Sequence, residues 1–266
     1  MVSATYLDDI LVHHRARALA DTRDWRERVA TLRYEGPSMY EALARRATGT
    51  VGVIAEVKRR SPSKGDLAPD LDVTSLARTY ALGGACAVSV LTDHDYFSGS
   101  DEDLVAVANV VSLPLLRKDF TVSENDVLDA CAMGASTVLL IVAALSTGEL
   151  ERYIALADVC GIEALVEVHD HDEARRAQDC GARIVGVNQR NLRTFAVDPG
   201  HAASVIGSID PSVRSVCESG LKDASDVERA GEAGFDAVLV GEAFVTSADV
   251  LATVREFTEV AWAGRG

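Results

Sequence analysis

The chain of 266 residues carries 26 basic and 41 acidic side chains, a formal net charge of −15 at pH 7, with 48% hydrophobic and 25% charged residues. So acidic a chain suits nucleic acid poorly, because phosphate backbones require clustered Lys and Arg, and it has no run of eighteen apolar residues with which to span a membrane. At this length a core buries roughly three quarters of the unfolded surface, so no disulfide or metal is needed to hold it together.

The first residues, MVSATYLDDILVHH, carry acids and histidines where a secretory signal would carry basic residues and then an apolar core. Five cysteines (Cys86, Cys131, Cys160, Cys180 and Cys217) are odd in number and widely spaced, with no C-x-x-C pair. They read as reduced thiols of a cytoplasmic protein. Ahead of Val51 lies a basic segment with helical stretches at Leu7–Ala20, Thr22–Arg33 and Pro37–Arg46. It has too few apolar residues for a core of its own. Residues 1–48 are therefore expected to pack as an extension on residues 49–266, the whole forming one domain.

From Val51 onward a phrase recurs: a glycine, two or three variable residues, then an apolar run. It appears as GGACAVSVL from Gly83, GASTVLLIV from Gly134, GIEALVEV from Gly161, GARIVGVN from Gly181 and GFDAVLVG from Gly234. Each copy follows an amphipathic stretch, so each glycine suits the left-handed residue that ends a helix. The runs are short, β-branched and unalternating, as in parallel strands covered on both faces. Val51–Val57, Leu113–Arg117 and Val213–Cys217 fit as strands without the glycine, which makes eight. Between them, Ser123–Asp126 and Ser146–Glu149 read as helix-starting capping boxes, the first an acidic variant. Eight strand–helix alternations predict a (βα)₈ TIM barrel. A doubly wound sheet would want a G-x-G-x-x-G turn after its first strand, and the sequence has none.

In such a barrel the chemistry sits where strands end, and costly polar groups collect there. Glu56 and Lys58 close the first strand and alternate onto the same side. Lys118 closes the third, Glu167 the fifth, Asn188 the sixth, Glu218-Ser219-Gly220 the seventh and Gly241 the eighth. Two lysines and three glutamates in one mouth are expensive to desolvate unless paired. Ion pairs that merely close the barrel top are the competing explanation, but a site needs such charges and a plug does not. The loop Arg59-Arg60-Ser61-Pro62-Ser63-Lys64-Gly65 adds positive charge beside the mouth of an acidic protein, which suits an anionic substrate. With the glycines after the seventh and eighth strands it predicts a phosphate site at Ser61, Gly220 and Gly241.

Other features are set aside. Glu167, His169, His171 and Asp172 resemble a metal cluster in one dimension, but Asp170 to Asp172 suit the cap of the next helix. Cys217, within an apolar strand, reads as a packed thiol. His13, His14 and His201 fall in predicted helices away from strand ends and are expected at the surface. A Schiff base on Lys58 or Lys118 stays open at this level.

The strand-end motifs together resemble one family. IAEVKRRSPSKG from Ile54, LTDHDYFSGS from Leu91, LRKDF from Leu116, LVEVH from Leu165, GVNQRNL from Gly186, ESG from Glu218 and LVGE from Leu239 are similar to the signature of indole-3-glycerol phosphate synthases of tryptophan biosynthesis, in the same order along nearly the whole chain. The departures are Gln189 and Cys217, and the extension matches loosely. The resemblance implies ring closure of 1-(2-carboxyphenylamino)-1-deoxyribulose 5-phosphate, with loss of CO₂ and water, by general acid–base catalysis. It implies Lys118 as the acid for closure. Lys58, Glu56 and Glu167 become candidates for the dehydration, which needs an acid for the departing hydroxyl and a base for the ring-nitrogen proton. Asn188 and Glu218 orient hydroxyls and lysines. Phe97, Phe120, Leu139, Leu192 and Leu239 wall the aryl ring, and Ser61, Arg190, Ser219, Gly220 and Gly241 complete the substrate contacts. It implies no metal and no redox cofactor, and a monomer with at most weak association with neighbouring pathway enzymes. Two readings compete. A phosphoribosylanthranilate isomerase would use a Cys/Asp pair where Glu56 and Lys58 stand. A non-catalytic barrel descended from the enzyme would have lost one of Lys58, Lys118, Glu167 or Glu218, and all four are present.

Overall fold

The computed structural model describes residues 6–44, 49–62, 64–191 and 196–262. Eight parallel strands close a barrel: β1 (Gly52–Val57), β2 (Ala87–Leu91), β3 (Leu115–Lys118), β4 (Thr137–Ile141), β5 (Glu163–Val168), β6 (Ile184–Asn188), β7 (Arg214–Glu218) and β8 (Ala237–Val240). Closure runs through β1 beside β8, with Ile54 opposite Leu239, and β1 beside β2, with Ile54 opposite Ala87. The unalternating apolar runs are explained by burial on both faces: every residue of β1, β2, β4, β6 and β8 is buried. The eight expected strands are all present, within one to three residues of their sequence bounds.

Helices α1 (Tyr6–Ala20), α2 (Trp25–Val29) and α3 (Met39–Leu43) precede the barrel, and α4 (Val73–Leu82) follows β1. Two short helices, α5 (His94–Phe97) and α6 (Asp101–Ala108), follow β2. Next come α7 (Glu124–Ala132), α8 (Thr147–Cys160), α9 (His171–Asp179) and α10 (His201–Val205), after β3 to β6 in turn. Helix α11 (Ala224–Ala233) follows β7, while α12 (Glu242–Val245) and α13 (Val250–Thr258) follow β8. Their starts are set by side-chain caps. Ser146 and Glu149 form the full capping box of α8, as expected. At α7, Ser123 accepts from the Asp126 amide, but Asp126 bonds back to the Val122 amide rather than to that of Ser123, so the reciprocal half of the expected box is displaced by one residue. Asp223 and Asp226 form a second full box that the sequence reading passed over.

Gly134, Gly161, Gly181 and Gly234 are left-handed, as the repeat predicts. At the first copy the structure corrects the expectation. Gly83 has φ −75°, and the left-handed residue is Gly84 at φ +92°. A Cβ on Gly83 would meet Val254 at 2.5 Å, so its missing side chain serves packing instead.

The extension runs down the outside of the barrel. Arg17 pairs with Asp126, and Arg23 and Arg28 pair with Asp129 on α7. The Tyr34 amide donates to the Cys160 carbonyl, and the Met39 and Tyr40 amides donate to the Glu163 carboxylate at the start of β5. His13 is half-exposed as expected, but His14 is not at the surface: it is 1% exposed and faces the barrel. His201 is half-buried, with Nε2 against the His169 carbonyl.

Gly161 and Gly181 offer a controlled comparison. Both are left-handed, but a Cβ at Gly181 meets open space whereas one at Gly161 would lie 2.9 Å from the Tyr34 carbonyl. Gly181→Ala is expected to cost about 1–2 kcal/mol of conformational strain. Gly161→Ala should cost distinctly more and loosen residues 34–44. Urea unfolding with limited proteolysis checks this; equal losses at the two positions would show that the Tyr34 contact carries no weight.

Candidate active site

The strands deliver their terminal polar residues into one cavity of about 700 Å³. Glu56 and Lys58 both line it, so the alternation expected for β1 holds, and Lys58 Nζ lies 2.6 Å from Glu56 Oε1. Lys118, ending β3, places Nζ 3.4 Å from Glu167 Oε2 and 3.8 Å from Glu218 Oε2. Asn188 Nδ2 donates to Glu167 Oε1 at 3.0 Å, and its Oδ1 accepts from the Arg190 amide at 2.9 Å. Strand register explains the grouping: Glu167 stands opposite Gly186, and Asn188 opposite Glu218. The glycine is required there, because a Cβ on residue 186 would fall 1.9 Å from Glu218 Oε1.

Burial and charge pull these groups apart. Burial lowers the Lys118 ammonium, but the carboxylates of Glu167, Glu218 and Glu56 outweigh it and hold the pKa above the ordinary lysine value. Glu167 is opposed by burial yet lies below the usual carboxylate range because of Lys118, His169 and the Asn188 amide. Glu218 is pushed up to about 8, first by burial and then by the negative charge of Glu167. Its Oε1 is buried with no hydrogen-bond partner among the described residues. The neighbouring carboxylates of Glu167 and Glu218 are thus pushed in opposite directions, an arrangement that separates acid from base.

Ser61, Ser219, Gly220 and Gly241 line the same cavity. Ser61 Oγ is buried and unpartnered among the described residues, while Ser219 (φ 69°) and Gly220 (φ 81°) are successive left-handed residues, held by Gln189 Nε2 donating to the Ser219 carbonyl. A non-glycine residue in that conformation is strained and concentrates at binding sites. Gly241 opens the short α12, and a Cβ there would lie 2.3 Å from Glu56 Oε1. Of the basic loop, Ser61, Pro62 and Lys64 reach the cavity, with Lys64 paired to Glu242. Arg59 turns away to a two-pronged pairing with Asp103. Ser63 lies outside the described residues.

Phe97, Phe120, Leu139 and Leu239 form apolar wall, with the two phenyl centroids 6.3 Å apart, and Arg190 also lines the cavity. Leu192 lies outside the described residues. The sequence reading missed Tyr6, Leu7 and Ile10, which α1 brings to the cavity rim. A signal was present: an extension without its own core must place its apolar side chains on the barrel. The metal-like cluster does not converge. Asp170 caps α9, His171 bonds Ser208, and His169 stands between Glu167 and Glu173. Cys217 is a buried thiol pushed up to about 12 by burial and then by Glu218, which makes it inert.

Fold and site define a (βα)₈-barrel whose mouth holds paired lysines and glutamates beside a glycine-rich loop cluster. The family model described as indole-3-glycerol phosphate synthase matches residues 8–257, and the chain belongs to that family. Curated proteins named indole-3-glycerol phosphate synthase resemble it closely. One from Arthrobacter sp. is 45% identical over 264 residues, covering 96% of each chain. Another from Nocardioides sp. is 50% identical over 215 residues, covering 81% of this chain and 82% of its own. A third, from Acetivibrio thermocellus, is 36% identical over 260 residues, covering 96% and 99%. Among solved structures, a thiamine phosphate pyrophosphorylase from Pyrococcus furiosus shares the fold at 16% identity and a TM-score of 0.60, covering 78% of this chain and 93% of that one.

The Glu218 shift has a measurable consequence. The native protein binds this proton more tightly than the unfolded chain, so stability is lost as pH rises from the ordinary carboxyl range through about 8. Glu218→Gln is expected to melt higher than wild type, by a margin that widens across that window. Thermal unfolding between pH 5 and 9 reads it; a constant or narrowing margin would reject the elevated pKa.

Proposed function

We propose that the chain converts 1-(2-carboxyphenylamino)-1-deoxyribulose 5-phosphate into indole-3-glycerol phosphate, CO₂ and water, within tryptophan biosynthesis. The observation that carries this reading is the pairing of two lysines with carboxylates in one cavity, 2.6 Å apart at Lys58 and Glu56 and 3.4 Å at Lys118 and Glu167. Family membership supports the reaction class.

Lys118, kept as an ammonium by its carboxylate neighbours, delivers a proton to the ketone oxygen as the aryl carbon attacks. CO₂ leaves from that carbon and the ring regains aromaticity. Departure of the new hydroxyl as water takes a second proton, assigned to Lys58, and one proton leaves the five-membered ring to ionised Glu167. Two protons are given and one is taken, which balances the loss of a carboxylate as neutral CO₂. Glu56 orients Lys58, while Asn188 and Glu218 orient Glu167, Lys118 and the substrate hydroxyls. Ser61 and the amides of Gly220 and Gly241 bind the phosphate, Phe97, Phe120, Leu139 and Leu239 hold the aryl ring, and Arg190 and Ser219 add polar contacts. The proposed reaction uses no metal or redox cofactor.

The same reading makes the protein a cytoplasmic monomer, with residues 1–48 and 49–266 as one domain. Among the described residues none of the five cysteines forms a disulfide, which supports a reducing compartment. Among the described residues no helix is long and apolar enough to cross a membrane.

Mixing purified protein with the carboxyphenylamino substrate should produce indole fluorescence, undiminished by EDTA and without added nucleotide. Absence of product rejects the function, and loss on chelation with recovery in zinc rejects the metal-free mechanism. Lys118→Ala is expected to lower the ring-closure rate by roughly 10²–10⁴-fold in single-turnover experiments. Lys118→Arg should not restore it, since guanidinium gives up its proton too poorly. Closure at near wild-type rate with a stall only at dehydration would exchange the roles of the two lysines.

A further inference from the structure

His14 ties α1 to two loops of the cavity mouth. It is 1% exposed, on a helix whose neighbouring His13 is half in solvent. Its Nε2 lies 2.8 Å from Asp93 Oδ2, and its Nδ1 lies 3.9 Å from Asp119 Oδ1, with no hydrogen-bond partner among the described residues. The two aspartates come from different loops. Asp93, after β2, caps α5 by accepting from the Tyr96 and Phe97 amides, so its position sets where the Phe97 ring stands. Asp119 separates Lys118 from Phe120. Its Oδ2 accepts from Arg117 at 2.9 Å and Thr92 at 2.8 Å, and its Oδ1 accepts from the Phe120 amide at 2.8 Å. The imidazole also packs on the Phe120 ring, centroids 5.2 Å apart.

One imidazole therefore touches the loop that carries Phe97, the loop that carries Phe120 and the residue after Lys118, from one layer behind the cavity wall. These three side chains could in principle ligate a metal, since their donor atoms lie within 4.8 Å of one another. The arrangement argues otherwise: the Arg117 guanidinium bonds Asp119 directly and would repel a cation, and both carboxylates already accept hydrogen bonds from backbone and side-chain donors. Two buried carboxylates facing one another are costly unless a polar group intervenes.

We propose that His14 is a positioning residue that ties the loops after β2 and β3 together and so fixes the spacing of Phe97 and Phe120 around the aryl ring of the substrate. This rests on the reading of those phenyl rings as the aryl wall. Removing the imidazole leaves Asp93 and Asp119 without the ring between them, the loops spread, and the aryl end of the site loosens while the phosphate end, built from other loops, does not. Small displacements of groups that orient a substrate are enough to be seen in binding.

The test compares wild type, His14→Ala, and His14→Gln, whose amide nitrogen can reach Asp93 much as Nε2 does. Two constants are read on each folded enzyme: the dissociation constant of indole-3-glycerol phosphate and the inhibition constant of inorganic phosphate. His14→Ala is expected to bind the indole product roughly tenfold more weakly, raise KM more than it lowers kcat, and leave the phosphate constant unchanged. His14→Gln should recover most of the loss. If His14→Ala does not fold, Asp93→Asn, which keeps the α5 cap and removes the carboxylate, should show the same selective loss. Equal weakening of both ligands, or no weakening of either, overturns the role of His14. A wild-type protein that binds phosphate but not the indole product overturns the aryl-wall reading itself, and the two failures are told apart by that control.

Discussion

The site depends on keeping ionised groups out of bulk water without leaving any of them alone. Glu56, Glu167 and Glu218 are 5%, 1% and 2% exposed, and an uncompensated buried charge costs several kcal/mol even after relaxation. Compensation here is reciprocal. The lysines offset the carboxylates, the carboxylates keep Lys118 protonated against burial, and the surplus of negative charge is relieved at Glu218, where a proton is the least expensive neutraliser. Lys118 favours the ionised form of Glu167 and Glu218, both carboxylates favour the protonated form of Lys118, and Glu167 opposes ionisation of Glu218. The catalytic assignment is thus a property of the set more than of any single side chain.

Such packing of charge requires room, and two glycines provide it. A Cβ at residue 186 would overlap Glu218 Oε1, and one at residue 241 would overlap Glu56 Oε1 and crowd Lys58 Nζ at 3.0 Å. Gly241 lines the cavity, and its missing side chain lets the Glu56–Lys58 pair sit beside β8. A barrel strand supplies such positions rigidly, since register places Gly186 opposite Glu167 on one side and opposite Val216, two residues before Glu218, on the other.

The barrel and the inner ring of the site were legible in the sequence because both follow local rules. Unalternating β-branched runs mark strands buried on both faces, and period-two alternation puts Glu56 and Lys58 on one side. What stayed hidden depends on which surface meets which. Arg117 and Lys118 are adjacent and equally basic on paper, yet alternation sends Lys118 into the cavity and Arg117 outward, where it is 3% exposed and bonds Asp119 and the Asp126 carbonyl. His14 and His13 are likewise adjacent, and nothing in the composition of α1 distinguishes the buried one from the exposed one. At Gly83-Gly84 the left-handed residue is the second glycine, and the first is needed for its close contact with Val254, 171 residues distant along the chain.

The extension is therefore tied to chemistry it does not itself perform. Arg28, the more buried of its arginines on α7, pairs with Asp129 from α2. Three further ion pairs to α7 and α8 involve Arg15, Arg17 and Arg23, all about half-exposed, and pairs of that kind contribute about 0–1 kcal/mol each. They orient α1 more than they hold it. The firm attachments are the buried ones: Ile10 at 2% exposure, His14 at 1%, and the two amides that Glu163 receives from Met39 and Tyr40. One of these anchors ends at Asp119, the residue beside Lys118, and another side chain on the same helix turn, Ile10, lines the cavity. A change that loosens α1 from the barrel consequently reaches the substrate cavity before it threatens the core, because the contacts it breaks first are those between the helix and the loops of the mouth.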